Sequence, residues 1–196
     1  MPKKFSLQVR HYFDDPLAIF KLFERFLALF CVFIPIILYL TDDRDRDGHL
    51  PGPRGSISDY VYMCHNYVFG MLLGIAAMLF IVNGFIYFKK EDNSKDSTGK
   101  WYNIGIGLSL LGVVCFPWRE HTIVHFSFAG IFFVGNALAT GFFHTKRWPK
   151  SNITMSVLTV VVLALHFAKF APWLTLFWAE WVSLAVVGVH FWLESW

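Results

Sequence analysis

The chain has 196 residues, a formal net charge of +3, 56% hydrophobic and 19% aromatic residues, and only 16% charged ones. Soluble domains carry about a quarter charged residues, so this chain lacks the polar surface to cover itself in water and reads as an integral membrane protein. Its small excess of Lys and Arg falls in short clusters between apolar runs, which excludes nucleic acid as a partner.

The apolar runs predict an all-α bundle of six transmembrane helices, a single domain over residues 1–196 with an N-terminal amphipathic segment. Residues 1–15 form a cytoplasmic N-terminal segment, charged and without a small-residue cleavage site, so no removable signal peptide is expected. The first span runs Pro16–Leu40, with Asp15 as N-cap, Pro16 in the first turn and a kink at Pro35. Its opening stretch through Arg25 is amphipathic and belongs at the interface. The 41–57 loop follows, then spans at Ser58–Phe88, Trp101–Trp118, His121–Phe143, Ile153–Phe170 and Pro172–Trp192. The second, at ~1.5 Å per residue, would exceed the ~30 Å hydrocarbon core and should tilt or protrude.

Charge sets orientation. Lys3, Lys4, Arg10, Lys21, Arg25, Lys89, Lys90, Lys95, Lys100, Lys146, Arg147 and Lys150 fall on one side; Arg44, Arg46, Arg54, Arg119 and Lys169 fall on the other. The positive-inside rule then makes both termini and the 89–100 loop cytoplasmic and the 41–57 loop exoplasmic. Short exoplasmic junctions at Pro117–Glu120 and Ala171–Pro172 predict antiparallel hairpins. Gly130 and Gly135, with Ala129 and Ala137, are expected to let the fourth span approach a neighbour closely.

Polar groups at membrane depth are costly and face the bundle interior. Four histidines map to the exoplasmic half: His65, the HxxxH pair His121 and His125, and His166. His121 and His125 share a helix face, which continues through Asn136 and Thr140. Ser58 and His65 share a face of the second span, Asp59 stands at its mouth, and Glu180 with Ser183 lies on the sixth. His65, His121, His125 and His166 are therefore candidate metal ligands, since two imidazoles at i and i+4 plus a third make an open zinc site with a coordination position for water. Asp59, Glu180 and Ser58 are the candidate catalytic residues, either carboxylate orienting a histidine or acting as general base. Two other readings of the same residues stay open: a hydrogen-bonded cluster that fixes helix packing, and a haem b held between His65 and His125 or His166. His144 and His190, at the cytoplasmic ends, read as interfacial anchors.

The order of a polar loop ending Ser56-Ile57-Ser58-Asp59, a long second span, and a helix opening with His and continuing Phe-Ala-Gly-Ile-Phe-Phe resembles the six-span FRAG/DRAM/Sfk-like membrane proteins over Gly55–Phe143. A second resemblance is to the CREST superfamily of alkaline ceramidases and progestin and adipoQ receptors, whose members hold zinc with an early histidine and a late HxxxH pair, accompanied by Ser and Asp. It implies zinc on His65, His121 and His125, accessory roles for Asp59 and Ser58, and lipid hydrolysis. In that superfamily the HxxxH lies on the last of seven helices, whereas here it opens the fourth of six.

In the exoplasmic loop, Asp43-Arg44-Asp45-Arg46-Asp47-Gly48 matches the first half of an EF-hand loop, but Arg54 takes the place of its bidentate Glu and Pro51 and Pro53 prevent the exit helix. What remains is a weak calcium site at Asp43, Asp45 and Asp47, or a self-neutralising solvated loop. Trp101, Trp118, Trp148, Trp173, Trp192 and Trp196 fall at span ends, as in an interfacial belt. No nucleophile elbow, phosphate loop or dinucleotide fingerprint occurs. The function classes that survive are a zinc-dependent intramembrane hydrolase of lipid amides or esters, a non-catalytic accessory subunit or lipid or sensor module, a haem electron-transfer subunit, and a transporter. The partners expected are membrane lipids and other membrane subunits.

Overall fold

A computed structural model describes residues 16–43, 48, 52–88, 100–142 and 148–196. The described residues form six helices and no strands: α1 (Pro16–Thr41), α2 (Tyr67–Phe88), α3 (Tyr102–Cys115), α4 (Thr122–Phe142), α5 (Pro149–Phe167) and α6 (Leu176–Glu194). Five are long and apolar enough to cross a membrane; α3, with 14 residues or ~21 Å of rise, is shorter.

The helix ends follow local chemistry. Pro16 opens α1 where no N–H is needed, and Thr41 Oγ1 closes the helix by donating to Ile37 O at 2.8 Å. α3 stops because Pro117 disfavours helical geometry at the preceding residue; Phe116 adopts φ −120°, ψ 84°. The largest departure from the sequence reading is at Ser58–Phe88, which is not one helix. Ser58–Tyr62 is a separate 3-10 turn, Met63 is extended, and α2 starts only at Tyr67. Side chains here take over the backbone's bonds: Asp59 Oδ2 accepts from Ser56 N at 2.9 Å and Ser56 Oγ accepts from Asp59 N at 3.2 Å. The helix that remains is 22 residues, ~33 Å, which fits the hydrocarbon core and removes the expected overhang.

Each helix packs against the next in sequence and α6 closes back on α1, making a ring. At its centre the Phe80 ring of α2 meets Phe132 of α4 at 5.7 Å and Phe191 of α6 at 5.5 Å, both edge-on, the arrangement that ring quadrupoles prefer. The helices alternate in direction. At one end Trp118, just after α3, bonds to Asp59, just before α2; at the other Asn103 of α3 bonds to Asn83, late in α2. Despite its length, α3 thus runs between the same two ends as its neighbours.

Close helix approaches are made at glycines other than those expected. A Cβ on Gly107 would stand 2.6 Å from Ala77 O of α2, and one on Gly188 would stand 2.8 Å from Ala28 O of α1. By contrast a Cβ on Gly130 would meet nothing within 4 Å, and one on Gly135 only Ile106 at 3.8 Å. Gly130 faces outward, where it borders open space.

Candidate functional site

The segment between α1 and α2 folds as a cap on one end of the ring. Its anchor is an ion pair between side chains that are 3% (Arg54) and 0% (Asp42) exposed, 2.6 Å apart. Arg54 also donates to Asp43 O at 3.0 Å and Asp59 O at 3.3 Å, while Asp42 Oδ2 accepts from Gly52 N at 3.0 Å. The cap is pinned to α6 twice: Phe177 N, one of the free donors of the first helical turn, bonds Gly55 O at 2.9 Å, and Ile57 N bonds Glu180 Oε2 at 2.6 Å. Asp59 ties it to the α3–α4 junction, accepting from Trp118 Nε1 at 2.6 Å. With one oxygen on Ser56 N and the other on Trp118, Asp59 acts as a latch, and Trp118 is a cap residue as much as an interfacial one.

The four candidate histidines are not gathered. Because the chain ahead of Tyr67 is not helical, His65 sits in an exposed turn and its ring pairs with Asp43. His121 precedes α4, exposed, with its ring edge-on to Phe116 at 5.5 Å. His125 is buried and its Nδ1 bonds Phe116 O at 2.8 Å; His166 is half-buried and its Nδ1 bonds Leu174 O at 2.8 Å. Among the described residues no three His, Cys, Asp or Glu side chains stand where they could hold a metal ion, so the expected zinc donors do not fit that role in this geometry. The pockets that include His125 include neither His65 nor His166, the partners expected for haem b. For calcium, Asp45 and Asp47 lie outside the described residues, and Asp43 already accepts from His65 and from Cys64 N.

Asp43 carries a pH signature. Desolvation pushes its carboxyl upward, but bonds from His65 and from the Cys64 amide outweigh it and hold the group below the ordinary carboxylate range. A depressed native value means that the stabilisation is present above the unfolded-state value and is lost as pH falls through the native one. Asp43→Asn should therefore be less stable than the natural chain near neutrality and converge with it in acid, so that its acid limb is less steep. Superimposable acid limbs would show that the pair contributes nothing.

What does converge is Ser58, His125 and Glu180. All three are buried, and all line both a core cavity of about 40 Å³ and a cleft of about 360 Å³ between α4, α5 and α6. The core cavity has room for water only, whereas the cleft falls within the range of ligand sites, ~300–1,000 Å³. Its walls are apolar, with Ala129, Gly130 and Val134 on α4, Leu163 and Phe167 on α5, and Leu176 on α6. Val134 at 51% and Phe167 at 65% exposure place the mouth on the outer face of the bundle. Phe116 O can only accept, so His125 Nδ1 carries a hydrogen and, in the neutral ring, Nε2 is an acceptor. Ser58 Oγ is 3.0 Å from Ser56 Oγ, and Glu180 has one oxygen on Ile57 N. The cleft is thus an apolar slot with a polar floor held rigid by the cap.

Residues 33–195 match the family of unknown function DUF7103. The chain belongs to that family. The matched region takes in the cap, the cleft and its floor. No curated protein and no solved structure matches the chain.

A second polar layer, at the opposite end, escaped the sequence reading. It contains Glu24, Asn83, Asn103, Asn152 and His190, all buried, and Glu194. His190 is not an interfacial anchor: it is 5% exposed and its Nδ1 bonds Asn152 Oδ1 at 3.2 Å. His144 lies outside the described residues. The available signal was an amide near one end of two expected spans, Asn83 and Asn103.

Proposed function

We propose that this chain crosses the membrane six times, with α3 as the short sixth crossing and both termini cytoplasmic, and that it binds a membrane lipid in the α4–α5–α6 cleft. Support for the crossings comes from the alternating helix directions, and for the orientation from the Lys and Arg asymmetry. The observation that carries the lipid reading is the cleft itself, apolar in its walls, open on the outer face and floored by Ser58, His125 and Glu180. Transfer of an acyl chain from bilayer to slot gains little, because lipid tails are as apolar as Leu. Affinity and selection therefore come from the floor, which suits a lipid with a hydroxyl, amide or ester near its chain.

The tautomer of His125 favours a second reading, hydrolysis of that linkage, in which Nε2 takes a proton from an attacking water. Mass analysis of lipid bound to the purified full chain tests both. Gly130→Trp should fill the slot and lower bound lipid at least ~10-fold, the factor that ~1.4 kcal/mol of lost binding produces, while Gly130→Ala should retain it. Equal retention by Gly130→Trp would remove the lipid reading. Under the second reading, His125→Gln, which keeps a polar side chain on the floor, retains bound lipid but abolishes release of its fatty chain; under the first, no release occurs in either protein.

A further inference from the structure

The polar layer away from the cleft is built around one atom. Asn103 Nδ2 of α3 donates to Asn83 Oδ1 of α2 at 2.6 Å, and Asn83 Nδ2 donates onward to Glu24 Oε1 of α1 at 3.4 Å. Glu24 is 5% exposed and its other oxygen, Oε2, is enclosed with no hydrogen-bond partner among the described residues. From α6, Glu194 lies close enough to repel a charge on Glu24, and its Oε1 accepts from Asn152 Nδ2 of α5 at 3.3 Å. Lys21 on α1 and Lys100 ahead of α3 act in the opposite sense and more weakly, and Tyr102 of α3 feels both carboxylates. Facing Glu24 from α2 is the uncharged Asn83.

We propose that Glu24 is an internal proton-binding site, with the proton on Oε2 and Glu194 as the neighbouring carboxylate that keeps it there. An ionised oxygen shut away from water and from donors is costly, and a second carboxylate nearby disfavours a second negative charge. A proton removes both penalties and occupies no volume. The amide chain fits this state, because it donates only to Oε1 and leaves Oε2 as the hydroxyl. Loss of the proton is simple dissociation, carboxylic acid to carboxylate plus a proton that passes to water at the Lys21 and Lys100 end of the bundle. The site lies on α1, α2, α3 and α6, apart from the cleft, and does not depend on lipid binding.

Infrared difference spectroscopy of the full chain in lipid vesicles, titrated in pH, reads the site directly. A carboxylic-acid component should be present at neutral pH, be lost in Glu24→Gln with helix content unchanged, and persist in Glu180→Gln. In Glu194→Gln it should remain but disappear at lower pH than in the natural chain, since the repelling charge is gone. A folded Glu24→Gln with every carboxylic-acid component intact would overturn the proposal. Where Glu24→Gln does not fold, an unshifted titration in Glu194→Gln would overturn it. A component that vanishes at fixed pH when choline in the buffer is replaced by sodium would assign the site to a metal cation instead and also overturn it.

Discussion

Arg54→Ala and Asp42→Ala should each destabilise the protein by about 3–5 kcal/mol, the cost of leaving one member of a buried pair uncompensated. Both side chains are almost wholly enclosed, and Arg54 also satisfies the carbonyls of Asp43 and Asp59 while Asp42 holds Gly52 N. Removing either partner therefore strips several bonds from one turn of chain. Replacing both by apolar residues should recover part of the loss, because no unpaired charge is then buried. The effect reaches the cleft through Ile57, whose N–H holds Glu180 in place. Thermal unfolding of the purified chain in detergent, paired with bound-lipid analysis, should show a lower midpoint and less lipid in the single variants. Midpoints within a degree of the natural chain would mean that the pair adds nothing to stability and that the cap is held by its contacts with α6 and with Trp118.

Long apolar runs made the helices legible, since a span of sufficient length leaves the backbone few alternatives in lipid. The error at Ser58–Phe88 has a local cause. The polar residues Asp59, His65 and Asn66 are too few to end the run by hydropathy, and the break comes from Ser56 and Asp59 exchanging bonds with each other's backbone, a competition that hydropathy does not register. That single break moved His65 out of the bundle and with it the expected zinc trio. The floor of the cleft was legible for a sound reason: Ser58, His125 and Glu180 are polar groups in or beside apolar runs, and such groups turn inward. Which of several inward groups meet depends on helix rotation and on the cap, neither of which is written in residue spacing. The opposite layer was hidden because Asn83, Asn103 and Asn152 contribute one amide each, from three different helices, to a network that exists only once the ring closes.

The ring closes on contacts too tight for any side chain, and Gly107 is where this is most testable. A methyl group there would sit 2.6 Å from the Ala77 carbonyl oxygen and 2.7 Å from Ile81 Cγ1, both on α2. The carbonyl belongs to a helix backbone and cannot yield without moving α2, so Gly107→Ala should cost about 1–3 kcal/mol through overpacking, and Gly107→Leu should prevent assembly. Gly105, two residues earlier on α3, meets nothing within 4 Å; there Ala should be neutral or stabilising by up to ~1 kcal/mol, because it is the better helix former. The two substitutions share chemistry, helix and depth and differ only in what they face. The same displacement pulls Asn103 away from Asn83, so Gly107→Ala should also perturb the Glu24 carboxyl signal while Gly105→Ala leaves it unchanged. Equal unfolding midpoints for Gly105→Ala and Gly107→Ala would contradict the close α2–α3 packing on which the opposite polar layer depends.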